Sequence, residues 1–184
     1  MITLENISMA FGEKQIFDRF SLSFPAPGQY AVLGPSGRGK TTLLRLIAGL
    51  ERPAGGKVTL PENARIAYCF QEDRLLPFKT VLENVSLACG SEETARQWLD
   101  RVGLRGEENS YPASLSGGMK RRAALARALA FDAPILLMDE PFRALDTDTH
   151  AAMLALVRKA AKDKLLILVT HDEADAEGMQ IIRL

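Results

Sequence analysis

Residues 30–41 read Tyr-Ala-Val-Leu-Gly-Pro-Ser-Gly-Arg-Gly-Lys-Thr, and the segment that follows, Thr41–Leu50, has the apolar spacing of a helix. Gly34–Thr41 fits G-x-x-x-x-G-K-[ST], with a strand before it and a helix after it. The glycines let backbone N–H groups wrap a phosphate, and the helix start adds unpaired donors and the positive end of its dipole. Within this cradle, Gly34, Pro35, Ser36, Gly37, Arg38, Gly39, Lys40, Thr41 and Thr42 are candidate nucleotide contacts. Lys40 is placed to reach the β/γ-phosphate oxygens, and the Thr41 hydroxyl to ligate Mg²⁺. The unit predicts an α/β fold built on a phosphate-binding loop.

A nucleoside triphosphate site needs an acidic residue at the end of a second apolar strand to complete the metal shell. Pro134-Ile-Leu-Leu-Met-Asp-Glu140 supplies it, with Asp139 on the metal side. Glu140, one residue further on, is better placed to orient or deprotonate a water for in-line attack. A third apolar run, Leu165-Leu-Ile-Leu-Val-Thr-His171, ends on a histidine. Ligand sites of parallel sheets lie at carboxyl ends of strands, so His171 is a candidate contact for the γ-phosphate or the water.

The rest of the chain supports one domain over 1–184. Hydrophobic residues make up 47% and charged residues 25%, ordinary for a soluble globular domain of this length. Basic and acidic residues balance at 23 each, which leaves no global field to gather nucleic acid, and no nucleic-acid partner is expected. Cys69 and Cys89 lack metal-ligand spacing and read as reduced, buried thiols of a cytosolic protein. Apolar runs such as Leu165–Val169 are too short to span a membrane, and Met1 leads into a strand-like segment with no signal peptide pattern. Ile2–Met9, Leu22–Phe24 and Gln29–Leu33 read as strands of an antiparallel start. Val58–Leu60 and Arg65–Phe70 read as short strands, and Thr80–Cys89, Ser91–Val102 and Gly118–Phe131 as helices. From Pro134 onward strand and helix alternate, with Thr147–Ala161 and Asp172–Gly178 in the helical positions, which favours a parallel sheet.

One local rule is broken. Ala-Ser-Leu-Ser-Gly-Gly-Met-Lys-Arg-Arg, residues 113–122, opens a helix with Lys120, Arg121 and Arg122 at its start. Helix dipoles favour acidic residues there. The pattern therefore predicts a second anion site, with Ser116 and the N–H of Gly118 as ligands and the three cations nearby, each either facing the anion or paired with a carboxylate of its own chain.

Taken together these motifs resemble the nucleotide-binding domain of ATP-binding cassette (ABC) proteins, along nearly the whole chain. Cys69-Phe-Gln71 is similar to the family's glutamine loop, Leu115-Ser-Gly-Gly-Met119 to its signature, Ala144-Leu-Asp146 to its D-loop, and Thr170-His171 to its switch histidine. Phe11 matches the aromatic that stacks on adenine. The resemblance implies a P-loop NTPase fold of RecA-like type: a mixed or parallel core sheet, an N-terminal antiparallel β-subdomain, and a small helical subdomain over roughly 72–130. It implies ATP and Mg²⁺ as cofactors, Gln71 as a sensor of metal and water, and a head-to-tail homodimer. In that dimer Ser116, Gly117, Gly118 and Asp146 serve the partner's ATP. Transmembrane permease subunits would dock on the Glu72–Thr80 loop, where the apolar run Leu75, Leu76, Pro77 and Phe78 reads either as a receiver for a partner helix or as ordinary core packing, and an extracytoplasmic substrate-binding protein would act through them. The location implied is the inner face of the cell membrane.

The wording of Phe70–Pro77, Leu115–Met119 and Asp139–Phe142 is most similar to bacterial importers of the nitrate, sulfonate and taurine type. Arg143 stands where the family commonly has a small residue, and phosphate, a carboxylate or nothing are open to it as partners. The chain runs only thirteen residues past His171, so no tail-borne regulatory domain is expected. Two other readings fit the cradle: a small-molecule kinase, which would lack the signature, and an ATP-bound regulatory module without turnover.

Overall fold

The computed structural model describes residues 1–184. Two long strands, β1 (Ile2–Phe11) and β2 (Lys14–Phe24), form a hairpin, and β3 (Gly28–Leu33) leads into the cradle and α1 (Lys40–Ile47). β4 (Gly55–Thr59) and β5 (Ile66–Cys69) follow, then α2 (Val81–Cys89), α3 (Glu92–Arg101) and α4 (Gly117–Ala130). β6 (Ile135–Asp139), α5 (Thr147–Ala160), β7 (Leu165–Val169) and β8 (Gln180–Arg183) complete the chain. The strands form two sheets: an antiparallel one in the order β2-β1-β4, and a five-stranded one in the order β5-β6-β7-β3-β8 with all pairs parallel.

The central strands are near-continuous apolar runs because both faces of the parallel sheet are covered. Side chains alternate along each strand. Leu136 and Met138 of β6, with Leu166 and Leu168 of β7, pack into a core shared with α2 to α5. Ile135 and Leu137, with Leu165, Ile167 and Val169, pack on the opposite face against α1 and the antiparallel sheet. Each such fully buried leucine or isoleucine contributes about 1.5–3 kcal/mol relative to exposure.

Helix starts follow local chemistry. Thr80 and Glu83 form a reciprocal capping box on α2, Ser91 caps α3, Ser116 caps α4 and Asp146 caps α5. α1 has no side-chain cap; Gly39 stands at that position with φ 95°. A Cβ on Gly39 would lie 2.6 Å from Ile16 Cγ2, so both the backbone and the β2 hairpin require glycine there.

Three expectations need correction. Strand β2 begins at Lys14 and not near Leu22; register shifts in its pairing with β1, and Arg19 at φ 47°, interrupt the alternation that would have marked it. Gln29–Leu33 does not continue the antiparallel start: β3 pairs in parallel with β7 and β8. Asp172–Gly178 forms only a single 3₁₀ turn, Ala174–Ala176, because local side-chain bonds, such as Ala174 N–H to Asp172, take the place of a helical ladder. Of the two free thiols, Cys69 is buried and Cys89 only half-buried.

Candidate functional site

The carboxyl ends of β3, β6 and β7 lie side by side, and the backbone ties them together beyond the last strand residues. The Glu140 N–H donates to Val169 O (2.9 Å) and the Thr170 N–H to Val32 O (3.3 Å). Beside these ends lies a cleft of about 370 Å³ lined by Phe11, Lys14, Ile16, Ser36, Gly37, Gly39, Lys40, Thr41, Thr42, Gln71 and Glu140. Phe11 is 47% exposed at its mouth, a state no core aromatic would show. Arg38 is exposed and faces a neighbouring cleft with Lys14 and Gln15. Gly34 and Pro35 turn their carbonyls toward Lys40, whose Nζ donates to Gly34 O (2.7 Å) and Pro35 O (3.0 Å).

The metal-side pair is in contact: the Thr41 hydroxyl donates to Asp139 Oδ1 at 3.2 Å. Burial pushes the Asp139 carboxyl above the usual range; the Thr41 bond pulls it back, and the neighbouring Glu140 charge adds to the rise. A hydroxyl beside a single carboxylate suits Mg²⁺, which takes one or two protein oxygens and completes its shell with phosphates and water. Around Glu140 two further side chains converge. Gln71 Nε2 donates to Glu140 Oε2 at 3.2 Å, and His171 Nδ1 lies 3.8 Å from Glu140 Oε1. Glu140 itself has φ 45°, a left-handed conformation uncommon for a non-glycine residue and concentrated at functional sites.

A family profile described as ABC transporter matches residues 17–143. The chain belongs to the ABC transporter family. It is 45% identical over 193 aligned residues to an "Aliphatic sulfonates import ATP-binding protein SsuB 1" from Burkholderia cenocepacia, covering 98% of this chain and 60% of that protein. An SsuB 2 from Rhodococcus jostii is 42% identical, with 95% of this chain and 74% of that protein covered. The chain thus spans about 60% of the length of the Burkholderia relative. A solved dimeric structure of a post-hydrolysis ATP-binding cassette bound to ADP and Pi superposes with a TM-score of 0.92 at 31% identity, covering 100% of this chain and 94% of that one.

Leu115–Met119, the segment similar to the family's signature, leads into the N-terminus of α4. Ser116 accepts from the Met119 N–H at 3.2 Å, and Met119 packs on the core. The Gly117 and Gly118 N–H groups have no acceptor within the chain. The expected cluster of three cations around this end does not form. Arg121 is 3% exposed and turned into the protein, and Arg122 donates to Val102 O and Gly103 O, both at 2.7 Å. Backbone carbonyls, invisible as charges in a sequence, take most of the bonds of both guanidinium groups, and the Asp73 carboxylate takes one from Arg121 at 3.3 Å. Asp146 spends its carboxylate on the Thr149 N–H at 3.0 Å, a bond that holds its pKa below the usual range. In the Glu72–Thr80 loop, Leu75 packs on the core while Phe78 is 91% exposed.

Sequence reasoning missed four contributors. Lys14 and Ile16 line the cleft from the β2 hairpin, and no motif marks them. Buried Asn84 holds the 76–80 turn, donating to the carbonyls of Leu76, Lys79 and Thr80 and accepting from the Leu76 N–H at 2.7 Å. The Tyr68 hydroxyl is buried without a hydrogen-bond partner, and burial together with the Asp139 charge raises its pKa.

Proposed function

We propose that the chain is the ATP-hydrolysing subunit of an ABC importer, coupling hydrolysis to substrate movement through permease subunits. The observation that carries this reading is the convergence of Gln71 and His171 on Glu140, beside Lys40 and the Thr41–Asp139 pair. That constellation has groups for the phosphate tail, the metal, the water and the γ-phosphate, and no separate acceptor pocket is needed.

In this reading Phe11 stacks on adenine, and the Gly34–Thr42 backbone holds the phosphates. Lys40 exchanges its loop carbonyls for β/γ oxygens. Thr41, Asp139 and Gln71 hold Mg²⁺, which when bound neutralises charge on the phosphates. Glu140 accepts the water's proton or orients the water, with Gln71 and His171 fixing its carboxylate. Ser116, Gly117, Gly118 and Asp146 face the ATP of a second copy arranged head to tail, a reading supported by the dimeric cassette described above. Residues 1–184 act as one nucleotide-binding unit, and the arm over 72–130 offers Phe78 to a permease. The names of the relatives support a sulfonate-class cargo, delivered by an extracytoplasmic binding protein. No helix is long and apolar enough to cross a membrane, in keeping with a subunit held at the inner membrane face through its partners.

Glu140→Gln tests this directly. It should retain ATP binding, lose phosphate release by about two orders of magnitude or more, and accumulate as an ATP-bound dimer on size exclusion. Wild-type phosphate release by that variant would remove Glu140 from the role.

A further inference from the structure

The most heavily bonded side chain in the molecule lies in the cationic stretch 113–122. Arg121 leaves α4 two residues beyond Met119 and enters the interior. Its Nε donates to Pro141 O at 2.8 Å, and Nη2 donates to Asp139 O at 3.0 Å and Glu140 O at 2.6 Å. Nη1 faces the other way, to Phe70 O at 2.6 Å, Gln71 O at 3.2 Å and the Asp73 carboxylate at 3.3 Å. One planar group thus spans the glutamine loop and the turn after β6. These are the two segments whose side chains, Gln71 and Glu140, meet at 3.2 Å.

Burying a cation against carbonyls is a costly way to fill space, since a well-packed apolar residue often serves stability as well or better. What the guanidinium supplies instead is fixed geometry, because its five donors leave a rigid plane in set directions. It grips the Asp139 and Glu140 carbonyls, one on either side of the strained Glu140 backbone, whose φ of 45° needs such support. Arg127, further along α4, extends the grip by donating to Asp73 O at 3.0 Å and Arg74 O at 2.8 Å, but does not reach the β6 turn.

We infer that Arg121 is a positioning residue: it holds Gln71 and Glu140 in register and ties both to the signature helix of the same chain. A load on the α4 N-terminus is then felt at the chain's own Glu140. This inference rests on the hydrolytic reading for its kinetic consequence and on geometry alone for its structural one.

The test compares wild type with Arg121→Lys and Arg121→Gln in the full chain. Arg121→Lys keeps the charge on a side chain one bond shorter and has one nitrogen, which cannot bond both sides of the fork. Its kcat for phosphate release should fall about tenfold or more, with the KM for ATP within about threefold, because misplacement of catalytic groups costs rate more than binding. Combined with Gln71→Ala, it should add little to the loss Gln71→Ala causes alone, since both act through one unit. Hydrogen–deuterium exchange should quicken in 70–74 and 139–143 together and stay unchanged in β1, β2 and β4. Wild-type kcat and exchange in Arg121→Lys would overturn the inference, as would exchange that quickens throughout the chain with a lowered Tm, which marks a merely structural arginine. If wild type itself releases no phosphate, the hydrolytic reading falls and the exchange data alone decide on Arg121.

Discussion

Two helix ends in this chain face the same electrostatic task and solve it differently. The α1 end is surrounded by its own chain's ligands: Lys40, Thr41, Asp139, Gln71 and Glu140 all lie at or beside it. The α4 end offers two free N–H groups and a serine, while its nearest arginines are committed to carbonyls inside the protein. Both ends are glycine-rich with cations close behind in the sequence. One end has side chains of its own chain gathered around it, and the other does not. In the proposed dimer, the α4 end, poorer in side-chain ligands than the cradle, would close on an ATP already held by the partner.

The comparison can be broken from either side. The largest effect is expected at α1: Lys40→Ala should weaken ATP binding to the monomer by about a hundredfold, as loss of a charge-assisted contact to phosphate demands, measured by isothermal titration. At α4, Ser116→Arg should leave monomer binding within about twofold and abolish ATP-dependent dimerisation, read by analytical ultracentrifugation. Were Ser116→Arg to weaken monomer binding as Lys40→Ala does, the two ends would serve one molecule and the contrast would fail. Ser116→Ala sharpens it by isolating the cap: loss of the bond to the Met119 N–H should cost about 1 kcal/mol in urea unfolding, without touching the monomer's ATP affinity.

The smallest effect is expected at the far end of α4, where electrostatics is ordinary. Asp132 follows the last turn, and the Lys164 bond holds its carboxyl below the usual range. A depressed folded-state pKa contributes stability above the unfolded value of about 3.9 and loses it as pH falls through the folded value. Lys164→Met should therefore cost less than about 1 kcal/mol at pH 7, the pair being largely exposed on the Asp132 side, and progressively less as pH falls below the unfolded carboxyl value of about 3.9. Urea titrations across this pH range check it.

The legible part of the site is the part carried by backbone-dictated motifs. A cradle needs glycines and a lysine at fixed spacing, and an apolar run ending in Asp-Glu announces a strand end, so residue types alone make Gly34–Thr42, Asp139, Glu140 and His171 candidates. The helices of the 80–131 region were legible for a similar reason, since capping residues mark their starts. Strand β2 was hidden by its bulges, and the turn at 174–176 was masked by acidic residues that bond locally. The sequence leaves the partners of the 113–122 cations open: Arg121 bonds five backbone carbonyls, which every residue carries and no composition displays, and the Asp73 carboxylate.

By itself, then, the sequence determined which local units this chain builds: a phosphate-wrapping loop, buried two-faced strands and capped helices, each set by interactions within a few residues. Only the tertiary structure decided which of those units meet. It put β3 in the parallel sheet and not in the hairpin sheet, brought Gln71 and His171 onto Glu140, and turned Arg121 away from solvent. Those outcomes depend on long-range pairing and on the need to satisfy buried donors and carbonyls, which arise only when distant segments pack together.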